Sequence, residues 1–152
     1  RSSLQLPGVQ NQLITALAAT GKPIVLLIHA GRPLIFNQAA GHASAVLYTW
    51  WLGTEAGNAI ADVLYGDYNP SGKLPMTFPR TEGQIPIYYN YYNTGRPAAD
   101  EFQNSYVSAY IDLPNSPAYP FGFGLSYTTF SYSEVKVSST SLKGNQTLTA
   151  SV

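Results

Sequence analysis

Glu55 is the carboxylate whose setting most invites chemistry. It follows an apolar run closed by two tryptophans, Trp50 and Trp51, and a glycine turn, and it opens a helical pattern. A group there stands beyond the carboxyl end of a strand, where α/β sheets hold their ligands. It also has a plain structural use. A negative charge in a first helical turn meets the positive end of the helix dipole, worth about 0.3–1 kcal/mol. Either tryptophan could stack on a sugar ring, but successive strand side chains point to opposite faces, so at most one serves a pocket. Arg32 and Arg96 each sit in a Gly-Arg-Pro turn. Each could bind a hydroxyl, orient a carboxylate through paired hydrogen bonds, or form a structural ion pair. Residues Tyr88 to Tyr92, with Asn90 and Asn93, make an aromatic, amide-rich loop. It suits contact with a neutral polar ligand, and equally the sealing of an interface.

Other chemistries find little support. His29 ends an apolar strand and reads as a satisfied core histidine, His42 as a surface one. Asp62 and Asp67 read as helix-surface and loop groups. With two histidines, no cysteine and no carboxylate cluster, neither a metal site nor a disulfide framework is expected. No glycine-rich phosphate loop follows a strand, so no nucleotide or other cofactor is expected. Eight Lys plus Arg balance eight Asp plus Glu without a basic run, which argues against nucleic acid as a partner. No apolar stretch of about 18 residues is present, so no membrane span is expected. Only 11% of residues are charged while twelve are Tyr. Such a surface suits neutral polar ligands, although Tyr also fills half-buried strand and loop positions.

The elements that must position these groups follow an α/β rhythm. Pro7 and Gly8 open a helix with Val9, Leu13, Ile14 and Leu17 on one stripe, and Gly21 and Pro23 stop it. Ile24 to Ile28 and Ala45 to Trp51 are apolar runs of the kind found in parallel strands buried on both faces. Thr54 can cap the next helix, whose stripe is Ala56, Ile60, Val63 and Leu64 and whose end is Gly66. Asn69-Pro70-Ser71-Gly72 signals a turn. Leu74 to Phe78, interrupted by Pro75, reads as an edge or irregular strand. Residues 81–124 form a long aromatic region with little periodicity, ending in a Gly-aromatic turn at Pro120 to Gly124. From Phe130 the pattern alternates, and Leu142 to Val152 could fold as a hairpin around Gly144-Asn145. The fold class is α/β, followed from residue 126 by the opening strands of a β-sandwich.

Taken together, Trp50 to Pro75 resembles the second-domain signature of glycoside hydrolase family 3. The similarity extends over nearly the whole chain, in order. It includes Leu6-Pro7-Gly8-Val9-Gln10, Ala19-Thr20-Gly21-Lys22-Pro23 and Gly31-Arg32-Pro33-Leu34. It continues through Thr77-Phe78-Pro79-Arg80, Gly83-Gln84-Ile85-Pro86-Ile87-Tyr88-Tyr89 and Asn93-Thr94-Gly95-Arg96-Pro97. It closes with Tyr119-Pro120-Phe121-Gly122-Phe123-Gly124-Leu125-Ser126-Tyr127-Thr128-Thr129-Phe130. The bacterial periplasmic-type β-glucosidases are the most similar branch.

The resemblance implies a barrel domain, a six-stranded α/β sandwich and a fibronectin-III-like domain. Residues 1–125 would be the C-terminal part of the sandwich, and residues 126–152 would begin the third domain. It also implies hydrolysis of β-linked sugars with retention, by two carboxyl groups about 5–5.5 Å apart. The nucleophilic Asp belongs to the family's barrel. The acid/base Glu lies shortly before a Ser-Arg pair whose Arg matches Arg1, so neither acid falls in this chain. Arg1, Arg32, Trp50, Trp51, Glu55, Tyr92, Asn93 and Arg96 are the candidate substrate contacts. The expected reading is a segment of an exo-acting β-glucosidase, inert by itself; a non-catalytic sugar-binding or scaffolding module is the alternative. Expected partners are the N-terminal remainder of the same enzyme, a β-glucoside or oligosaccharide, and a second copy if the enzyme is a homodimer. A periplasmic or secreted location is implied by resemblance alone. The segment by itself would leave sheet edges and helix stripes bare and tend to aggregate.

Overall fold

A computed structural model describes residues 2–98 and 106–152. At its centre lie two parallel strands. The apolar run after Pro23 extends as β1 (Val25–Ile28) and the run after Ser44 as β2 (Ala45–Tyr48), with Val25 opposite Ala45 and Ile28 opposite Tyr48. Parallel neighbours require a crossover. It contains α2 (Asn37–His42), a six-residue helix that the sequence pattern does not reveal. Its only buried residue is Ala39, it has no side-chain cap, and Asn37 and Gly41 are weak helix formers. The parallel pairing fits expectation, but burial on both faces does not hold. Val25 and Leu27 are exposed while Ile28 is buried, because the described residues cover one face.

The preceding helix, α1 (Gln10–Ala18), buries Ile14 and leaves Val9, Leu13 and Leu17 exposed. Beyond β2, a 3-10 turn at Gly53–Glu55 leads into α3 (Ala56–Tyr65). Thr54 lies inside that turn and makes no cap; Glu55 takes the cap position, again without a side-chain bond to the backbone. Gly66, with φ 88°, adopts the left-handed conformation that stops α3. The α3 stripe is half-buried at Ala56, Ile60 and Val63 and exposed at Leu64.

An aromatic cluster holds the core together. Phe78, 1% exposed, meets Tyr48, Trp50, Phe36 and Tyr119 edge-on at centroid distances of 4.9, 5.9, 6.2 and 6.4 Å. Phe36 stacks on Tyr119 at 5.5 Å. Such geometries add to the area these rings bury. Leu74 to Phe78 runs antiparallel to residues 118–123. Leu74 N–H donates to Phe123 O, Gly122 N–H to Leu74 O, and Phe78 N–H to Tyr119 O, each at 2.8 Å. Pro75 cannot donate, and only Phe78 and Tyr119 complete a bridge. The expected turn at Asn69 to Gly72 is not formed. The Asn69 side chain instead accepts from Tyr127 N–H and donates to Thr128 Oγ1, at 2.8 Å each. Beyond it, β3 (Lys136–Val137) and β4 (Ala150–Ser151) pair antiparallel around Gly144, and all four strand residues are exposed. The pairing joins the alternating stretch at Lys136–Val137 to the last strand, two residues a side, rather than folding Leu142 to Val152 on itself as expected.

Candidate functional site

A groove of about 800 Å³ opens at the carboxyl ends of β1 and β2, between them and α1. His29, Gly31 and Arg32 enter it from beyond β1, Trp51 from beyond β2, and Leu13 and Ile14 from α1. This is the edge at which an α/β sheet offers a ligand site. The two tryptophans part company, but past the end of β2 and across a left-handed residue, Trp50 at φ 52°, rather than by strand alternation. Trp50 packs against Tyr48 at 4.9 Å inside the core, whereas Trp51 is 76% exposed along the groove. A Cβ added to Gly31 would lie 2.1 Å from Trp51 Nε1, so the indole occupies space that any side chain at position 31 would need.

The Gly-Arg-Pro turn at Arg32 is tied to the sheet by Tyr48. The phenol donates to the Arg32 carbonyl and accepts the Leu34 N–H at 3.3 Å. Burial pushes the Tyr48 phenol above its ordinary pKa, against smaller opposing effects of the Leu34 N–H and the Arg32 charge. His29 is exposed rather than part of the core. Its Nδ1 lies 2.9 Å from the hydroxyl of buried Thr49, which reaches back to Ile28 O at 3.1 Å. An apolar strand can end in a histidine turned outward because the following residue has already left the sheet.

Glu55 stays on the surface, accepting from Asn58 Nδ2 at 2.6 Å one helical turn on. A different glutamate organises the entrance, one the sequence pattern does not single out. Glu82 Oε1 accepts the Leu4 N–H at 2.5 Å and the Ser3 hydroxyl at 2.8 Å. The Leu4 contact first, then Ser3, holds its carboxyl below the usual glutamate value, and the Arg32 charge acts in the same direction. On its other side the same segment meets Ile35, whose N–H donates to Leu4 O at 2.8 Å. Arg1 lies outside the described residues.

The tyrosine-rich region forms a second hollow of about 860 Å³, lined among others by Tyr88, Tyr89, Tyr91, Asn93 and Tyr110. Tyr92 is almost wholly exposed beside it, and the Arg96 carbonyl accepts the Ser108 N–H at 2.8 Å. Its floor is fixed by Gln84, 2% exposed. Gln84 Oε1 accepts Arg80 N–H at 2.6 Å, and Nε2 donates to Pro114 O at 3.0 Å and Ser116 O at 3.2 Å. No side chain of the described residues lining either hollow is a carboxylate. The structure therefore brings Arg32 and Trp51 together in one hollow and sets Asn93 in another, with Trp50 in the core and Glu55 apart on α3.

Comparison with known proteins matches the glycosyl hydrolase family 3 C-terminal domain to residues 1–127. The periplasmic beta-glucosidase of Salmonella typhimurium is 57% identical over all 152 residues, which make up 20% of that protein. A beta-xylosidase of Formosa agariphila is 45% identical over the same span, again 20% of its length. The crystal structure of a beta-glucosidase from Listeria innocua in complex with isofagomine superposes with a TM-score of 0.82 at 49% identity, over 90% of this chain and 19% of that one. A beta-glucosidase from Kluyveromyces marxianus in complex with glucose gives 0.66 at 31% identity, over 94% and 17%. The chain thus spans about a fifth of the length of these relatives.

Proposed function

Because the chain belongs to glycoside hydrolase family 3, we propose that it is a segment of a retaining, exo-acting β-glucosidase that removes terminal β-linked glucose from oligosaccharides. The observation that carries this reading is the 57% identity to a periplasmic beta-glucosidase along every residue, against 45% to a beta-xylosidase. In this reading residues 1–125 complete the α/β sandwich and residues 126–152 begin the fibronectin-III-like domain. The enzyme works in the periplasm or outside the cell. Among the described residues no helix is long and apolar enough to cross a membrane.

Retention requires a nucleophile and an acid/base, two carboxyl groups about 5–5.5 Å apart across the anomeric carbon. Both come from the N-terminal remainder of the enzyme, in keeping with hollows lined by no carboxylate among the described residues. This segment then contributes wall and support. Trp51 offers an exposed ring face, Arg32 a cation in the same groove, and Glu82 anchors residues 3 and 4 beside it; Arg1 is proposed as a substrate contact on the family resemblance alone. Trp50 and Glu55 serve the core and the start of α3.

The test is hydrolysis of aryl β-glucoside and aryl β-xyloside by the complete enzyme and by residues 1–152 alone. The complete enzyme is expected to cleave the glucoside faster, and the segment to cleave neither. Turnover by the segment alone would overturn the assignment of both acids to the remainder.

A further inference from the structure

We propose that Glu82 is a positioning residue for the acid/base: by gripping Ser3 and Leu4 it fixes the stretch of chain through which that acid joins this segment. The proposal rests on the glycosidase reading, in which the acid/base Glu lies shortly before Arg1. What carries it is the geometry at residues 3–5. One carboxylate oxygen, Glu82 Oε1, accepts the Leu4 N–H at 2.5 Å and the Ser3 hydroxyl at 2.8 Å. The Ser3 hydroxyl oxygen in turn accepts the Gln5 N–H at 3.1 Å, so three successive residues converge on one side chain. The Leu4 carbonyl is taken by the N–H of buried Ile35 at 2.8 Å, and Gln5 bridges Ile35 in parallel. These two bonds to Leu4 do different work. The Leu4 carbonyl belongs to the peptide unit that runs on to Gln5. The Leu4 N–H belongs to the unit that joins it to Ser3, so Glu82 fixes that plane and with it the direction in which the chain runs back toward Arg1.

The grip stands on a fixed base. Glu82 opens the 3-10 turn Glu82–Gln84, whose last residue is buried. Gln84 N–H donates to Thr81 O at 3.2 Å, and the Gln84 side-chain oxygen accepts Arg80 N–H at 2.6 Å. Arg80 Nε reaches Ser116 O at 2.9 Å, and Asn37 Nδ2 donates to Arg80 O at 2.9 Å. A carboxylate so mounted does not follow the chain it holds; the chain conforms to it. Hydrogen bonds to an ionised acceptor are also shorter and stronger than neutral ones. Proton transfer needs the acid within hydrogen-bond reach of the glycosidic oxygen, and small misplacements are costly.

The test uses the leaving group. When a sugar departs, the acid must protonate the glycosidic oxygen as its bond to the anomeric carbon breaks. Dinitrophenolate departs as a stable anion and needs no proton. The complete enzyme is therefore assayed on cellobiose and on 2,4-dinitrophenyl β-glucoside, as wild type, Glu82→Ala, Glu82→Asp and Glu82→Gln. In Glu82→Ala, kcat/KM for cellobiose is expected to fall at least about fivefold, a fraction of the ~10²–10⁴ that positioned proton transfer contributes, while that for the dinitrophenyl glucoside is held. Glu82→Gln, whose amide oxygen still accepts, retains both. Glu82→Asp, one methylene short, falls between on cellobiose and carries the test should circular dichroism show that the alanine variant does not fold. Equal losses on the two substrates overturn the proposal, because a merely structural support would slow both. So does a cellobiose rate unchanged in the most truncated variant that folds. A wild-type enzyme that cleaves neither substrate sinks the glycosidase reading first, and the proposal with it.

Discussion

Phe36, Tyr48, Trp50, Phe78 and Tyr119 turn their rings toward one another, whereas Tyr88, Tyr91 and Tyr92 turn theirs outward. Both groups are rich in aromatic residues, and composition alone does not separate them. The difference lies in what surrounds each. The core rings are fed by two paired strands and a returning antiparallel stretch, which bury Phe36 and Phe78 and half-bury Tyr48, Trp50 and Tyr119. The loop rings hang from a frame built of side-chain amides bonded to backbone carbonyls, with Gln84 and Asn115 supplying what a sheet would otherwise supply. Aromatic packing stabilises the first region, and polar satisfaction the second.

Substitutions should divide along that line. Phe78→Ala removes the ring at the centre of the cluster and is expected to cost about 3–5 kcal/mol, read by denaturant unfolding of the complete enzyme. Tyr92→Ala, the same kind of truncation on the exposed loop, should stay within about 0.5 kcal/mol. Equal losses would erase the contrast. Gln84→Leu keeps the volume but strands Arg80 N–H and the Pro114 carbonyl, while Ser116 O keeps its bond from Arg80 Nε at 2.9 Å. Each group left unpaired should cost about 1–3 kcal/mol, and nitration of Tyr89 and Tyr110 should quicken as the frame loosens. A loss confined to stability, with no change at the tyrosines, would show that the amide does not hold the loop.

The smallest effect concerns Glu82. Its folded pKa is depressed, so the stability it contributes is present above its unfolded pKa and fades as pH falls through the lower folded value. Acidification across that window should therefore free residues 3–4 in the native protein and change little in Glu82→Gln, whose amide oxygen can still accept. Hydrogen exchange at the Leu4 amide is the measurement. Parallel acid profiles for the two proteins would remove Glu82 from the account.

What the sequence made legible follows the same division. The β-branched runs, the helix stops and the proline-broken stretch at Leu74 to Phe78 are local signals, and each reappears as structure. The parting of Trp50 from Trp51 was expected from strand alternation, but both lie beyond β2 and a left-handed backbone at Trp50 separates them, which the sequence did not show. Less legible was whatever depends on a distant partner. Nothing around Glu82 marks it as the acceptor for Ser3 and Leu4, since 78 residues separate Leu4 from it. Gln84 shows its burial only through Pro114 and Ser116, and α2 forms because two parallel strands must be joined. The Thr54 cap failed for a local reason, as the chain tightens into a 3-10 turn before the helix begins.

Trp50 is one of two described residues other than glycine with positive φ, at 52°. A backbone held there costs on the order of 1–3 kcal/mol, which the surrounding packing must offset. The kink gives the chain a swivel between neighbouring indoles, so one can be exchanged without dragging the other. Variation at the inner position would register as thermal tolerance, and variation at the outer one in the exposed wall of the groove. A single twisted residue thereby uncouples two traits that adjacency in the chain would ordinarily force to change together.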